Sequence, residues 1–221
     1  MIGKMFSLLR HGETASGLAH PGRDRRGRNL REIFSHIPIL ETERLILRRI
    51  VPDDYMDMYD YASSDEVTRY LTWYSHISPD QSRDYIGYLQ TRYNEGKFFD
   101  WGLEHKEDGR MIGTCGFTTI NLLQNKAEVG YVLSRKYWGR ALMPEALDEV
   151  IRFGFEELLL GRLEARFIDG NDKSRSVMVK CGMSFESTSF NSFRVKDEYK
   201  TVHTYALSRN EYLKRKAAVK Y

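Results

Sequence analysis

Between Ala127 and Leu158 the chain changes period once, and that change restricts the folds open to it more than any other stretch. Ala127-Glu128-Val129-Gly130-Tyr131-Val132-Leu133 alternates in the manner of a strand. Beyond Arg135-Lys136-Tyr137-Trp138-Gly139-Arg140-Ala141, the residues Leu147, Val150, Ile151, Phe155 and Leu158 recur at helical spacing. Pro144 and Glu145 predict the helix start near Pro144, the proline through its fixed φ and the glutamate through the helix dipole, and Gly161 predicts its end. The result is strand, glycine-bearing loop, helix. Such a loop aims successive backbone N–H groups at one spot beside the positive end of a helix, where a phosphate is stabilised without any side-chain charge.

Two common phosphate signatures are absent: the chain has no G-x-x-x-x-G-K-[ST], and the loop lacks the three glycines of G-x-G-x-x-G. What it has is a basic residue, two positions, Gly, one position and a small residue, at Lys136, Gly139 and Ala141. This resembles the pyrophosphate-binding loop of the GNAT superfamily of acetyl-CoA-dependent N-acetyltransferases. The longer run Tyr137-Trp138-Gly139-Arg140 with Met143-Pro144-Glu145-Ala146-Leu147 resembles the branch that acts on ribosomal-protein N-termini, the Rim type. Asn171-Asp172-Lys173-Ser174-Arg175-Ser176-Val177-Met178-Val179-Lys180-Cys181-Gly182-Met183 resembles a second signature of that branch, and Glu41-Thr42-Glu43-Arg44-Leu45-Ile46-Leu47-Arg48 a third.

The resemblance implies an α/β fold, a mixed, mostly antiparallel sheet of about six to seven strands with flanking helices, whose splayed central strands hold acetyl-CoA. The element order read from residue patterns, β-α-α-β-β-β-α-β-α-β-β, agrees with it. Ile37–Arg48 alternates as one strand, Pro52-Asp53-Asp54 opens a helix, and a second helix runs from Pro79 to about Asn94. The aromatic stretch Leu71-Thr72-Trp73-Tyr74 between them either walls a cleft or packs beneath the helices. Phe99–His105 and Met111–Ile120 form a hairpin about an Asp108-Gly109 turn. Arg162–Ile168, a short helix over 172–181, a closing hairpin of Met183–Ser187 with Lys200–Leu207, and a basic terminal helix from Asn210 complete the chain.

By resemblance, backbone groups of Tyr131, Val132 and Leu133 hydrogen-bond the pantetheine arm, and one N–H there faces the acetyl carbonyl. The N–H groups of Tyr137, Trp138, Gly139, Arg140, Ala141 and Leu142 would hold the pyrophosphate, with Lys136 the basic position. Gly139 lets the backbone approach. Ala141 stands where many members have Gly, which is tolerable if its φ is already helical. A free N-terminal amine has a pKa near ~8 and a lysine near ~10.4, so a base assists either acceptor. Glu128 is the candidate base, with a solvated strand-face residue as the bland alternative; Glu164 is the reserve. Ser174 is the candidate acid toward the departing sulfur. Asn171 is expected to cap the 172–181 helix and to meet the pantetheine amide.

The remaining features exclude rather than identify. No apolar run approaches the ~20 residues of a membrane helix, so no membrane partner is expected, and a cytoplasmic setting is the default. Cys115 and Cys181 are isolated and the histidines lack ligand spacing, so neither a disulfide nor a metal site is expected; Cys181 reads as packing. The net charge of +3 is concentrated in residues 1–32, which carry seven basic against three acidic side chains. We expect these to be a basic, flexible extension, open to RNA or an acidic partner, ahead of an acetyltransferase domain over 33–221. Arg10-His11-Gly12-Glu13 resembles the R-H-G-E signature of the histidine phosphatases, but nothing downstream supplies the second histidine and arginines of that chemistry. The leading reading is an acetyl-CoA-dependent transfer of acetyl to a primary amine, such as the N-terminal amine of a ribosomal or other protein. A small amine (polyamine or aminoglycoside) as acceptor, and a non-catalytic acyl-CoA-binding module, are the alternatives. Association with the ribosome, and monomer against homodimer, are left open.

Overall fold

A computed structural model describes residues 27–218. Residues 1–26, including the Arg10-His11-Gly12-Glu13 stretch, and 219–221 lie outside the described residues.

The described chain is α/β, an eight-stranded, mostly antiparallel open sheet with seven α-helices. A helix α1 (Leu30–Ser35) begins inside the stretch assigned from sequence to the extension, and it does so because Phe34 is driven into the core, where it meets Phe99 and Trp101 edge-on. Asn29 caps α1 by accepting the Arg31 N–H, and Arg28 reaches the Glu157 carbonyl. The segment expected as one strand is a tight hairpin instead, β1 (Leu40–Glu41) and β2 (Leu45–Arg48). Thr42 turns the chain, its N–H and hydroxyl both meeting the Leu45 carbonyl. This break in the alternation supplies the strand beyond the expected seven.

After a single 3-10 turn at Pro52–Asp54 come α2 (Tyr55–Ala62), a one-turn α3 (Asp65–Thr68) and α4 (Pro79–Asn94). Then β3 (Phe99–His105), β4 (Arg110–Asn121) and β5 (Lys126–Leu133) run as an antiparallel meander. The helix that follows, α5 (Leu142–Arg152), starts two residues ahead of the predicted Pro144. Leu142 and Met143 are buried at 1% and 4% exposure, so their burial extends the helix N-terminally, and Pro144, which has no N–H to lose, is accommodated in the first turn. The helix also stops short of Gly161. Phe153–Glu157 widens into a π turn, with the Leu158 N–H on the Phe153 carbonyl, and Leu159 turns the chain at φ +55°.

The chain then forms β6 (Arg162–Ile168), α6 (Asp172–Lys180), the long hairpin β7 (Ser184–Val195) with β8 (Glu198–Ser208), and α7 (Arg209–Ala218). Across the sheet the order is β1-β2-β3-β4-β5-β6-β8-β7. One face is covered by α5, whose Leu147 and Val150 are fully buried; the face bearing Gly102 receives Ile50 and the helices α2 and α4. Burying a Leu or Val of α5 is worth about 1.5–3 kcal/mol each, enough to fix where its N-terminus lies.

Candidate active site

The centre of the sheet is where antiparallel order fails. The strands β5 and β6 are parallel, and their register runs from Lys126↔Arg162 only to Val129↔Ala165. Beyond that point β5 stays with β4 as far as Leu133↔Gly113, while β6 stays with β8 as far as Ile168↔Val202. A gap therefore opens beside Gly130–Leu133, lined on the β5 side by backbone groups with no strand partner. Tyr131 and Val132 are half-buried along it. The Leu133 carbonyl is already engaged, accepting the Trp138 indole N–H at 2.8 Å.

At the mouth of the gap the loop from Ser134 to Ala141 is tied down by its side chains. Lys136 pairs with Asp60, the Tyr137 hydroxyl donates to Asp108 at 2.7 Å, and Arg135 pairs with Glu66. The Lys173 ammonium sits 3.7 Å over the Trp138 ring, and Arg44 donates to the Arg140 carbonyl at 3.0 Å. The main-chain donors are left over. Among the described residues the N–H groups of Gly139, Arg140, Ala141, Leu142 and Met143 have no hydrogen-bond acceptor, whereas those of Tyr137 and Trp138, expected in the same row, bond to Ser134 and Arg135 carbonyls. Gly139, Arg140 and Ala141 are exposed, so the loop offers its donors to solvent at the N-terminus of an eleven-residue helix. Such a row of free donors at a helix start has the chemistry that favours an anion. Gly139 has φ +77°, and Ala141 corrects the sequence expectation: its φ is +57° and ψ 18°, left-handed and not helical. A Cβ in that region costs roughly 1–2 kcal/mol, which the surrounding ties hold in place.

The anchor of this helix start is Glu145. Its carboxylate accepts from the Thr42 hydroxyl at 2.6 Å, the Arg44 N–H at 2.8 Å and the Arg44 Nε at 2.7 Å. Burial opposes its charge, but the hydrogen bonds from Thr42 and Arg44 win and hold its pKa below the ordinary value.

On the far side of the gap Asn171 caps α6, its Oδ1 accepting the Ser174 N–H at 3.3 Å. The Tyr131 hydroxyl lies 3.0 Å from the Ser174 carbonyl and 2.9 Å from its Oγ. Sequence reasoning used only the backbone of Tyr131; its phenol, which burial pushes well up in pKa, is what ties β5 to α6. Cys181 is buried and its thiol contacts the Pro144 carbonyl at 3.5 Å, a packing role.

The two carboxylates singled out from sequence lie side by side in register, Glu128↔Glu164, and each is engaged. Arg166 holds both oxygens of Glu128, at 3.0 and 2.7 Å. Lys126 at 3.2 Å and Arg162 at 2.9 Å hold Glu164, whose pKa burial would raise but these donors bring down. Arg166 went unnoticed in the sequence, although Arg162, Glu164 and Arg166 alternate along one face. The aromatic loop crosses to the other side of the gap: the Tyr70 hydroxyl donates to the Gly170 carbonyl at 3.0 Å and that of Tyr74 to Asp197 at 2.6 Å. No group of metal-ligating side chains occurs among the described residues, and none of their helices is long and apolar enough to cross a membrane.

Residues 44–184 match the Acetyltransferase (GNAT) domain, and the chain belongs to that family. It is an N-acetyltransferase that takes acetyl from acetyl-CoA and passes it to an amine. It is 34% identical over 149 residues, 67% of this chain and 84% of the relative, to the uncharacterized N-acetyltransferase YoaA of Bacillus subtilis. It is 32% identical over 173 residues, 78% of this chain and 97% of the relative, to the uncharacterized N-acetyltransferase p20 of Bacillus licheniformis. The [ribosomal protein uS5]-alanine N-acetyltransferase of Escherichia coli is 25% identical over 154 residues, 66% of this chain and 78% of that enzyme. The microcin C7 self immunity acetyltransferase MccE, solved with acetyl-CoA and AMP, shares the fold at a TM-score of 0.68 and 15% identity, over 76% of this chain and 93% of that one.

Proposed function

We propose that this acetyltransferase modifies the N-terminal α-amine of a protein, a ribosomal protein being the leading class. The likeness to the uS5-alanine enzyme supports the reading, together with the Rim-type wording of Glu41–Arg48 and Asn171–Met183. The free donors from Gly139 to Leu142 carry the acetyl-CoA half of it, since a diphosphate needs such a row and few other ligands do.

In this proposal Gly139, Arg140, Ala141 and Leu142 hold the diphosphate through their N–H groups. Lys136 and Arg140 supply positive charge, the exposed Lys136–Asp60 pair being weak enough to share its cation. Tyr137 and Trp138 fix the loop. Backbone groups of Tyr131, Val132 and Leu133 flank the pantetheine arm, with the Asn171 side-chain amide at its end. Bound there, acetyl-CoA supplies an acetyl thioester, a carbonyl activated by a good leaving group. Ser174, beside the Tyr131 hydroxyl, stands as the acid toward sulfur. Glu128 walls the acceptor side and takes a proton only by way of water, because Arg166 occupies its oxygens. Residues 1–32 remain proposed as a basic extension and 33–221 as the catalytic domain, though α1 joins the two, and a cytoplasmic setting belongs to the same reading.

Thiol release from acetyl-CoA, measured with peptides bearing ribosomal-protein N-termini and with polyamines and aminoglycosides, tests the reading. Turnover on the peptides, with acetyl located on the α-nitrogen by mass spectrometry, supports it. Turnover on the small amines alone moves the acceptor to that class, and binding of CoA with no turnover on any of them overturns it.

A further inference from the structure

Among the described residues, one carboxylate on the sheet has no cation. Asp100 lies on β3 within Phe98-Phe99-Asp100-Trp101, and its Oδ1 is buried without a hydrogen-bond partner, while the residue as a whole is only half-buried, so solvent reaches part of it. The sheet makes room for this group. A Cβ on Gly116, its register partner on β4, would stand 2.7 Å from Oδ1 and 2.4 Å from the Phe99 carbonyl oxygen. Leaving such a buried oxygen unpaired is unfavourable, and functional sites are where such a cost is retained.

Its position in the sheet points to the reaction. Asp100 pairs with Gly116 and Gly116 pairs with Gly130, so the three form one row across β3, β4 and β5. Gly130 is the first residue of β5 beyond the last β5–β6 pair, Val129↔Ala165. The row therefore runs from Asp100 to the place where the gap opens, about 10 Å at two strand spacings, a span that a carboxylate, one water and an amine can bridge. Asp100 lies on the Gly116 side of the sheet, opposite the face on which Trp101 and Cys115 pack.

We propose that Asp100 receives the acceptor amine and takes its proton. The inference rests on the transferase reading and adds the residue that prepares the nucleophile. The ammonium gives one proton, through the bridging water, to the Asp100 carboxylate, and the freed nitrogen lone pair forms the C–N bond to the acetyl carbonyl carbon. The C–S bond breaks, sulfur leaves with the bonding pair, and the second nitrogen proton passes to it, by way of Ser174 where that hydroxyl is in line. The products are the amide, the thiol and a protonated Asp100 that returns its proton to water. The groups whose ionisation Asp100 disfavours are Tyr61 of α2, Tyr85 and Tyr93 of α4 and Cys115 of β4, all uncharged at neutral pH, and among the described residues no cation pairs with it. Burial pushes its carboxyl up to about 7, against opposing hydrogen bonds from Thr114 and the Trp101 N–H, which is where a base for an amine works best.

The test compares wild type with Asp100→Asn on a synthetic peptide beginning with Ala, across the neutral pH range, with acetyl-CoA binding followed by calorimetry. We expect the variant to lose about 10²-fold or more in rate at pH 7 and the rising limb of the profile, with acetyl-CoA affinity retained. An aromatic amine, neutral at that pH, should lose much less. An unchanged rate or profile overturns the proposal. If the variant does not bind acetyl-CoA, or the wild type leaves the peptide untouched and so defeats the peptide reading, ¹³C NMR of the Asp side-chain carboxyls in the wild type decides. A midpoint near 7 that falls when ethylammonium is added supports Asp100 as the receiving group; a midpoint in the ordinary carboxylate range, or one indifferent to the amine, overturns it.

Discussion

The Tyr131 hydroxyl and the Ser174 side chain, 43 positions apart in sequence, meet at 2.9 Å across the boundary between β5 and α6. The phenol has one proton, and the Ser174 carbonyl at 3.0 Å competes with Oγ for it. When that proton goes to the carbonyl, the serine hydroxyl is left to donate to the phenolic oxygen. The pair therefore fastens the helix beside the gap and orients the proposed acid.

This coupling predicts non-additivity. Tyr131→Phe and Ser174→Ala should each lower stability by about 1 kcal/mol, and the double variant should lose clearly less than the sum, because either change alone already breaks the shared bond. Thermal melts of the four proteins check the cycle. Turnover of Ser174→Ala should fall only several-fold, since a thiolate leaves readily without an acid.

The loop predicts opposite outcomes at two neighbouring positions. Gly139→Ala places a Cβ at φ +77° and should cost roughly 1–2 kcal/mol and weaken CoA binding. Ala141→Gly removes the penalty at φ +57°, offset by the added chain entropy of glycine, so stability should hold or rise by up to about 1 kcal/mol with CoA affinity kept. Calorimetry with CoA and melting curves separate the two; a loss of affinity in Ala141→Gly would contradict the left-handed geometry.

Glu145→Gln should lower stability by about 2 kcal/mol by weakening the charged acceptor shared by Thr42 and Arg44, and should loosen the proposed diphosphate loop with it. The pH dependence follows from the lowered pKa of Glu145. The folded state favours its ionised form, so the contribution is fully present above the ordinary carboxylate value of 4.5 and is lost as pH falls through the lower folded value. Denaturation midpoints of wild type and variant should therefore converge in acid and differ at neutral pH.

Glu128→Gln should leave CoA affinity unchanged and, with Arg166 already on both oxygens, lower the rate without moving the pH profile. Arg166→Ala, which frees that carboxylate, should change the rate more than Glu128→Gln does. Rates measured across neutral pH for both proteins test the assignment; a profile displaced in Glu128→Gln alone would return the role of base to Glu128.

Much of the fold could be read before any coordinate. Alternation placed β3 through β6, proline and glycine placed α4 and α6, and Lys136, Gly139 and Ala141 marked the loop proposed to hold the diphosphate. The misreadings share a cause. At Thr42 a side chain and main chain turned a strand into a hairpin, at Leu142 burial began a helix ahead of its proline, and at Phe153 the helix widened into a π turn. The closing bonds at Thr42 and Phe153 are local, but each site is held by partners distant in sequence, Thr42 by Glu145, Leu142 by the core and Phe153 by Phe34 and Trp101, which local patterning does not contain.

Sequence alone determined the strand, loop and helix, because backbone sterics and apolar periodicity act within a few residues. Only the tertiary structure decided which donors stayed free and which carboxylates were paired. Arg166 reaches Glu128 because β5 and β6 lie side by side, and Asp100 keeps an unpartnered oxygen because Gly116 stands opposite it on the next strand. Charge and desolvation are set by neighbours brought together from far along the chain, and no reading of nearest neighbours can supply them.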